Sequence, residues 1–516
     1  MITPQQKDEW KQKAADLKTN LNFFDRTPKY SGRIIQDKAD FFGYRFKPEK
    51  DILPNCAFEL EINSEICFDF GEHLVGYFQF DVDFIGDNVG GPLRFKIILG
   101  EIPAEIGEDI DPYSGKLSRA WFQDEIFTLE YLPQTITFPR RFAFQYVKIV
   151  LIAKSFDYEV VIKNIKCICA TSADSNIEKY PMPVLDKELN KIDTVALRTL
   201  RNTMQDTFID GPKRDKRLWL GDLPLMSQAN NLTFKNPTIA KKCFYLFASQ
   251  LMPDGRMPAC IYRKPEIKGG TEYIVDYAIL FGSYMSDYAK ETGDWETVKD
   301  LWEAAYIQAE IIMNQLDEHG LFNNPNNNWV FIDWNPELER QAVINAIIIY
   351  SLKKLSSIAE RFNFLNEKEK LESIISKMKE AVVDNFYDSK KKIFFSSDKK
   401  QISWASQVWM ILADVVDDKT AKLILSKVIN DNNFVKPVTP YLYHYALEAL
   451  FKYDFRTEAI GIIKDYWGGM VRKGASTFWE VYKSDDPKFS PYDNYLLNSY
   501  CHSWSCIPAY FFRKYL

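Results

Sequence analysis

Two periodicities divide the chain. From about Phe46 to Thr171 apolar and polar residues alternate at period 2 in runs rich in β-branched and aromatic residues, among them FELEINSEICFDF, LVGYFQFDVDFI, LRFKIILGE, FTLEYL, ITFPRRFAFQYVKIVLIA and YEVVIKNIKCICA. Alternation turns one side of each run towards a core, and Gly, Asp, Asn and Pro bound the runs, so the stretch predicts an antiparallel β-sandwich. Residues 1–45 are expected to form a helix and a connecting segment packed on it. From about Ile177 the period becomes 3.6, with helices predicted roughly over 186–206, 222–231, 235–251, 272–291, 295–316, 338–362, 366–386, 402–414, 418–430, 440–452, 455–468 and 494–511. A dozen helices joined alternately by short and long links point to six helical hairpins closed into an (α/α)6 toroid. A solenoid would show a repeat at fixed period, and none is present. The expected architecture is multidomain: a helix and connecting segment (1–45), a β-sandwich (46–176) and an (α/α)6 domain (177–516).

The long links gather polar residues, Trp or Tyr, and Gly or Pro: FIDGPKRDKRLWLGDLPL (208–225), PDGRMPACIYRKPEIKGGTEYIVDY (253–277), NNPNNNWVFIDWNPELER (323–340), GASTFWEVYKSDDPKFSPYDNY (474–495) and NSYCHSWSCIP (498–508). Irregular segments of this length usually carry function. In the first, Asp210, Asp215 and Asp222 stand among Lys213, Arg214, Lys216, Arg217 and Trp219, and acids at different distances from a strong cation have separated pKa values. A further acid, Glu480, follows Phe478 and Trp479. Two carboxyls from distant loops, beside rings that stack on a sugar's apolar face, are the minimum for glycoside hydrolysis. On spacing alone the competing reading is a salt-bridged turn and an ordinary helix edge.

Composition narrows the partners. With 65 Lys+Arg against 71 Asp+Glu the net charge is −6 and the cations are scattered, so neither nucleic acid nor an anionic membrane is an expected partner. No stretch approaches the ~18 uninterrupted apolar residues of a membrane span. Of eight cysteines only Cys167 and Cys169 are close, no C-x-x-C occurs, and all are read as free thiols, mostly buried. His73, His319 and His444 have no partner at metal-ligand spacing, Glu108–Asp111 lacks an EF-hand pattern, and no Gly-rich phosphate loop precedes a helix, so neither metal nor cofactor is expected. The N-terminal MITPQQKDEWKQKAADLK has no apolar signal region, which suggests a cytoplasmic location, or a periplasmic one if a signal peptide has been removed. Oligomeric state is left open.

Four segments, Asp210-Gly-Pro-Lys-Arg-Asp215-Lys-Arg-Leu-Trp-Leu-Gly-Asp222, Phe331-Ile-Asp-Trp334, Gly474-Ala-Ser-Thr-Phe-Trp-Glu480 and Cys501-His-Ser-Trp-Ser505, occur in order within the helical region. Together they resemble the signature segments of the bacterial α-L-rhamnosidases of glycoside hydrolase family 78, six-hairpin glycosidases. FGEHLVGYFQF (70–80) and RRFAFQYVKI (140–149) are similar to the sandwich that precedes the toroid in that family. The resemblance covers about Phe46 to the end. It implies an inverting hydrolase of terminal α-L-rhamnose in oligosaccharides, polysaccharides or glycosides, with Glu480 as general base. Asp210, Asp222, Asp333, Trp334 and His502 fall on positions that look like hydroxyl-binding or sugar-stacking residues, Arg214 would bond the sugar or pin a carboxylate, and Trp219, Trp479 and Trp504 add aromatic surface. Many relatives carry a Glu in the segment matching Arg214–Arg217. This chain offers Asp215, one methylene shorter, as the acid, with Asp210 the next candidate. The alternatives are a toroidal enzyme on another sugar, a polysaccharide lyase, or a carbohydrate-binding relative that has lost catalysis. Inversion predicts carboxyls roughly 6.5–9.5 Å apart, with room for a water between.

Overall fold

A single bent strand organises the N-terminal region of the computed structural model, which describes residues 2–86, 89–182, 185–398 and 400–516. Ten antiparallel strands, β1 (Asn22–Arg26), β2 (Tyr30–Gln36), β3 (Tyr44–Asp51), β4 (Ala57–Leu60), β5 (Glu65–Ile85), β6 (Leu93–Gly100), β7 (Gln123–Leu129), β8 (Gln134–Thr137), β9 (Phe142–Ala153) and β10 (Glu159–Thr171), hydrogen-bond as one sheet. The first half of β5 pairs with β2 and β9 (Gly32 opposite Cys67, Phe68 opposite Val147), and its second half with β8 and β10 (Phe80 opposite Ile136, Val82 opposite Ile162). The β5–β9 register shifts between Asp69 and Leu74, where Gly71 takes a left-handed φ of 74° that a side chain would disfavour. Alternating residues of these strands, including Phe68, Phe78, Phe80, Phe95 and Phe144, form one buried core. The sandwich pattern read from the sequence is thus carried by strands that change partners at a bulge.

The segment expected to be a connection within 1–45 instead contains β1, β2 and the start of β3. Their residues, NFFDR and YSGRIIQ, are buried irregularly, so they carry no strict alternation for a sequence reading to find. What makes them strands is pairing, with Phe24 opposite Cys169 and Ile34 opposite Phe46.

The helices are α1 (Pro4–Asp16), α2 (Pro103–Gly107), α3 (Lys187–Thr203), α4 (Asp222–Leu232), α5 (Pro237–Ser249), α6 (Val275–Ile279) continuing through Leu280 into α7 (Phe281–Thr292), α8 (Trp295–Asp300), α9 (Trp302–Met313), α10 (Gln341–Arg361), α11 (Leu365–Phe386), α12 (Trp404–Leu412), α13 (Asp418–Asn430), α14 (Pro440–Lys452), α15 (Arg456–Arg472) and α16 (Pro508–Tyr515). Contacts divide the chain into a mainly helical unit (Met1–Thr19, Arg217–Tyr466, Trp504–Leu516) and a mainly β unit (Asn20–Lys216, Trp467–Ser503). Helix α1 starts with a Thr3–Gln6 capping box and packs on α5, with Lys7 Nζ donating to the Leu251 carbonyl at 2.6 Å. It therefore belongs to the helical unit, not to the sheet on which the sequence reading packed it. Helix α10 is long and apolar enough to cross a membrane, yet most of it is buried among α6, α7, α11 and α12, as a core helix is.

The helix expected over 494–511 is not continuous. Two 3-10 turns, Tyr495–Leu497 and Ser503–Cys506, precede α16. Between the turns the backbone N–H groups of Ser499, Tyr500 and His502 donate to Glu480, Glu101 and the Phe478 carbonyl, bonds that replace those a helix would make within itself.

Candidate active site

Glu480 sits in the β unit at the end of GASTFWE, a segment held along both edges. Phe478 N–H donates to Thr199 Oγ1 on α3 at 2.8 Å, Glu480 N–H to the Ser499 carbonyl at 2.9 Å, and His502 N–H to the Phe478 carbonyl at 2.8 Å. The β5 bend supports its start: His73 N–H donates to Ser476 Oγ at 2.8 Å, and Arg198, paired with Glu72 at 3.1 Å, donates to the Ser476 carbonyl at 2.8 Å. The buried Glu480 carboxylate accepts from Arg214 Nη2 at 2.5 Å, the Tyr492 hydroxyl at 2.5 Å and Ser499 N–H at 3.1 Å. Burial pushes its pKa up, but the Arg214 guanidinium, with the Tyr492 hydroxyl and the Ser499 amide, holds it below the ordinary glutamate value. It is ionised at neutral pH. Arg214 stacks over the Tyr492 ring at 4.2 Å and donates through Nε to the Leu497 carbonyl at 2.9 Å.

The Asp210–Lys216 loop lies against residues 496–500 of the same unit. Lys213 is buried and donates to Glu105 Oε1 at 2.6 Å and to the carbonyls of Asn498 and Leu496 at 2.7 and 3.2 Å, with Glu101 at 3.3 Å. A Cβ on Gly211 would stand 2.2 Å from both the Arg214 carbonyl oxygen and Ser499 Oγ, so only glycine permits this approach. Asp210 Oδ2 accepts from Asp215 N–H at 3.2 Å. Asp215 Oδ1 lies 3.6 Å from Arg214 Nη1, and its side chain keeps 16% exposure against 3% for Glu480. One guanidinium thus faces both carboxyls, which puts their nearest oxygens at most about 8 Å apart. The four cations of the loop separate: Lys213 to the buried glutamates, Arg214 to Glu480, Lys216 to the Arg141 carbonyl at 3.1 Å, and Arg217 over the Tyr262 ring at 4.5 Å.

In the helical unit, Phe331 stacks on Trp504 at 5.8 Å and meets Trp334 edge-on at 5.0 Å, with Trp329, Tyr277 and Tyr441 around them. Asp276 builds the loop, accepting from the N–H groups of Phe331 and Ile332 at 2.8 and 3.1 Å. Asp333 is fully engaged with protein: its carboxylate accepts from Val438 N–H and Thr439 N–H at 2.8 Å and from Thr439 Oγ1 at 2.5 Å, at the start of α14. Three donors from its own chain thus hold the Asp333 carboxylate in place. Asp222 is buried in the first turn of α4, and Trp219 is half-buried in a two-residue strand paired with Cys260–Tyr262.

Two expectations are corrected. Trp479 is 3% exposed and packs against Phe41, Phe42, Tyr482 and Tyr500, so it is core rather than a platform for sugar. His502 does not lie on a helix; burial pushes its pKa down to about 4, leaving it neutral at pH 7. Asp210, Arg214, Asp215, Glu480 and His502 come together in one unit, whereas Trp334 and Trp504 join the aromatic group of the other. The sequence reading missed Tyr492, Lys213 and Glu101. Tyr492 was flagged only as part of a Trp/Tyr-rich loop, and Lys213 stood among four cations with nothing to mark it as buried. None of the eight cysteines forms a disulfide, and among the described residues no three His, Cys, Asp or Glu side chains gather to hold a metal.

Residues 184–516 match the bacterial alpha-L-rhamnosidase 6 hairpin glycosidase domain, and residues 29–169 the glycosyl hydrolase family 78 alpha-rhamnosidase N-terminal domain. The chain belongs to glycoside hydrolase family 78. A strand-rich N-terminal domain followed by a six-hairpin region is the architecture of its α-L-rhamnosidases, and a family 78 chain is a glycosidase. The chain is 34% identical to a rhamnosidase from Klebsiella oxytoca solved with rhamnose bound, with a TM-score of 0.94 over 98% of each chain. A family 78 rhamnosidase of Bacillus sp. GL1 is 20% identical with a TM-score of 0.76, over 92% of this chain and 50% of that one. An α-L-rhamnosidase from Streptomyces avermitilis complexed with L-rhamnose is 14% identical with a TM-score of 0.64, over 94% and 44%. No curated protein sequence matches the chain.

Proposed function

We propose that this family 78 glycosidase hydrolyses terminal α-L-rhamnose from oligosaccharides, polysaccharides or glycosides with inversion, Glu480 acting as general base and Asp215 as general acid. The observation that carries the reading is the ionised Glu480. A buried carboxylate held as the anion by a guanidinium and two further donors is ready to take a proton from water. That water's oxygen bonds to the anomeric carbon as the glycosidic C–O bond breaks, and the Asp215 proton goes to the leaving oxygen. An oxygen gap of at most about 8 Å admits the separation used by inverting enzymes, ~6.5–9.5 Å. Arg214 then orients the base.

The test is hydrolysis of an aryl α-L-rhamnoside with the product anomer followed by NMR. β-Rhamnose as first product, with turnover lowered about 10²–10⁴-fold in Glu480→Gln and Asp215→Asn, is the expected result. α-Rhamnose as first product would refute inversion. Activity surviving in Asp215→Asn would pass the acid role to Asp210, and a wild type inert on rhamnosides would remove the substrate assignment.

A further inference from the structure

The helical unit contains a cavity of about 310 Å³ that shares no residue with the sites described so far. On α14 its lining residues His444, Tyr445 and Glu448 follow Tyr441 by one and two helical turns, so it lies along the helices from the loop that Asp333 braces. Its volume falls in the range of small-molecule pockets, ~300–1,000 Å³.

Three buried polar atoms on its wall, the Tyr284 hydroxyl, His444 Nδ1 and Gln228 Oε1, have no hydrogen-bond partner among the described residues. His444, 3% exposed, leaves Nδ1 without a hydrogen bond, and Gln228 leaves Oε1 without one. Burial pushes His444 down to about 4, so its ring is neutral and exchanges one donor and one acceptor with a ligand. Four tyrosines, 284, 350, 445 and 510, supply aromatic wall.

The charges on the wall do not pair off. Lys354 bonds Asp287 Oδ1 at 2.8 Å, and Lys514 pairs with Glu448 at 3.2 Å, where Tyr510 and Tyr515 also donate. Lys290 reaches only to 4.0 Å from the Asp287 oxygen that Lys354 already holds. Glu291 accepts from Asn231 Nδ2 at 2.8 Å, and burial pushes it up to about 7, so below neutral pH it does not offset the Lys290 charge. Lys290 is the cation left for an incoming anion, beside groups that want hydroxyl partners.

We propose that this cavity binds a monosaccharide-sized, polyhydroxylated carboxylate, its carboxylate on Lys290 and its hydroxyls on His444 Nδ1 and Gln228 Oε1. The site is separate from Glu480 and Asp215, so occupancy does not require turnover. The hydroxyls suit His444 Nδ1 and Gln228 Oε1 because each hydroxyl can donate and accept, whereas a bare inorganic anion satisfies neither Gln228 Oε1 nor an accepting imidazole nitrogen.

Sodium D-glucuronate is the probe, titrated calorimetrically into the full chain at pH 6, with D-glucose and sodium chloride at matched ionic strength as controls. Glucuronate is expected to bind and raise Tm, glucose to bind at least tenfold more weakly, and Lys290→Met to weaken glucuronate about tenfold to a hundredfold. Lys290 is half-exposed, so the variant is expected to keep its fold and its hydrolytic rate. Gln228→Leu, isosteric but without the acceptor, should weaken binding about fivefold or more. No heat from glucuronate up to about 20 mM would overturn the proposal, leaving the cavity as a water-filled void. Glucose binding as tightly as glucuronate, or unchanged affinity in Lys290→Met, would overturn it equally.

Discussion

Glu480 and Asp333 are both buried carboxylates that accept several hydrogen bonds, and their surroundings drive them in opposite directions. Burial pushes Asp333 up to about 6 even though Val438, Thr439 and the Thr439 hydroxyl donate to it. Glu480, equally buried, is held below its ordinary value. Both accept from neutral donors; what differs is a guanidinium in contact with the oxygen. Arg214 sits on Glu480 at 2.5 Å, whereas Arg340, the cation nearest in sequence to Asp333, donates to the carbonyls of Phe331, Leu338, Asp333 and Asn335. In a weakly screened interior one contacting charge outweighs several neutral dipoles. The first carboxylate is thereby kept ionised, and the second braces the start of α14.

Removing the guanidinium breaks the comparison most severely. Arg214→Met leaves an uncompensated anion in a buried site, expected to cost about 3–5 kcal/mol of stability by urea unfolding. Because Glu480 then loses the charge that held it low, the acid limb of the kcat/KM profile should move to higher pH and turnover should fall by about 10²-fold or more. An unmoved acid limb would mean that Arg214 is not what ionises Glu480.

Next in size is the pH dependence of stability, whose sign differs between the two carboxylates. Asp333 has a folded value, about 6, above its unfolded one of ~3.9, so the native state takes up a proton that the unfolded chain lacks. Wild-type stability therefore loses up to roughly 3 kcal/mol from this group as pH rises from about 4 to 6. The penalty of Asp333→Asn should be greatest near pH 4 and shrink towards pH 6. For Glu480 the folded value lies below the unfolded one, so its contribution is complete above about pH 4.5 and is lost as pH falls. The penalty of Glu480→Gln should shrink in that direction instead. Unfolding free energies across pH 3.5–7 check both slopes, and slopes of one sign would refute the contrast.

The sequence exposed these two carboxylates unequally. The loop motifs singled out Glu480, Asp215 and Asp210 as candidates, and most helices of the 3.6-period region fall where they were read, since an amphipathic stripe is a local signal. Asp333 stood in a motif just as clear, but its donors come from Val438 and Thr439, more than a hundred residues away, and no spacing reveals those bonds. Trp479 misled for the same reason, because Phe41 and Phe42 reach it from a segment read as a connection. The helix read over 494–511 failed where apolar residues at helical spacing met amides that bond to Glu480 and Glu101 instead. Periodicity reports which residues are buried, and hydrogen bonds between distant segments decide how.

A gentler perturbation isolates one donor. Tyr492→Phe keeps the ring under Arg214 and removes the hydroxyl from Glu480 Oε1. Losing one hydrogen bond to a charged group, worth about 1.5–3 kcal/mol, should lower turnover around tenfold and raise the acid limb by less than Arg214→Met does. A variant whose profile matches wild type would show that the guanidinium alone sets the base.

The smallest effect is expected at Lys216, and its smallness is informative. In sequence it adjoins the proposed acid Asp215, where a cation would oppose protonation. In the structure its ammonium donates to the Arg141 carbonyl at 3.1 Å, and its backbone N–H to the Gly211 carbonyl at 3.0 Å, a bond that alanine retains. The residue already has a left-handed φ of 63°, a conformation alanine shares with no added side-chain bulk. Lys216→Ala should therefore change stability by under ~0.5 kcal/mol and turnover by less than twofold across the pH range. A large gain in rate at alkaline pH would mean that the Lys216 charge does act on the acid, and that the loop's four cations are not sorted as their contacts indicate.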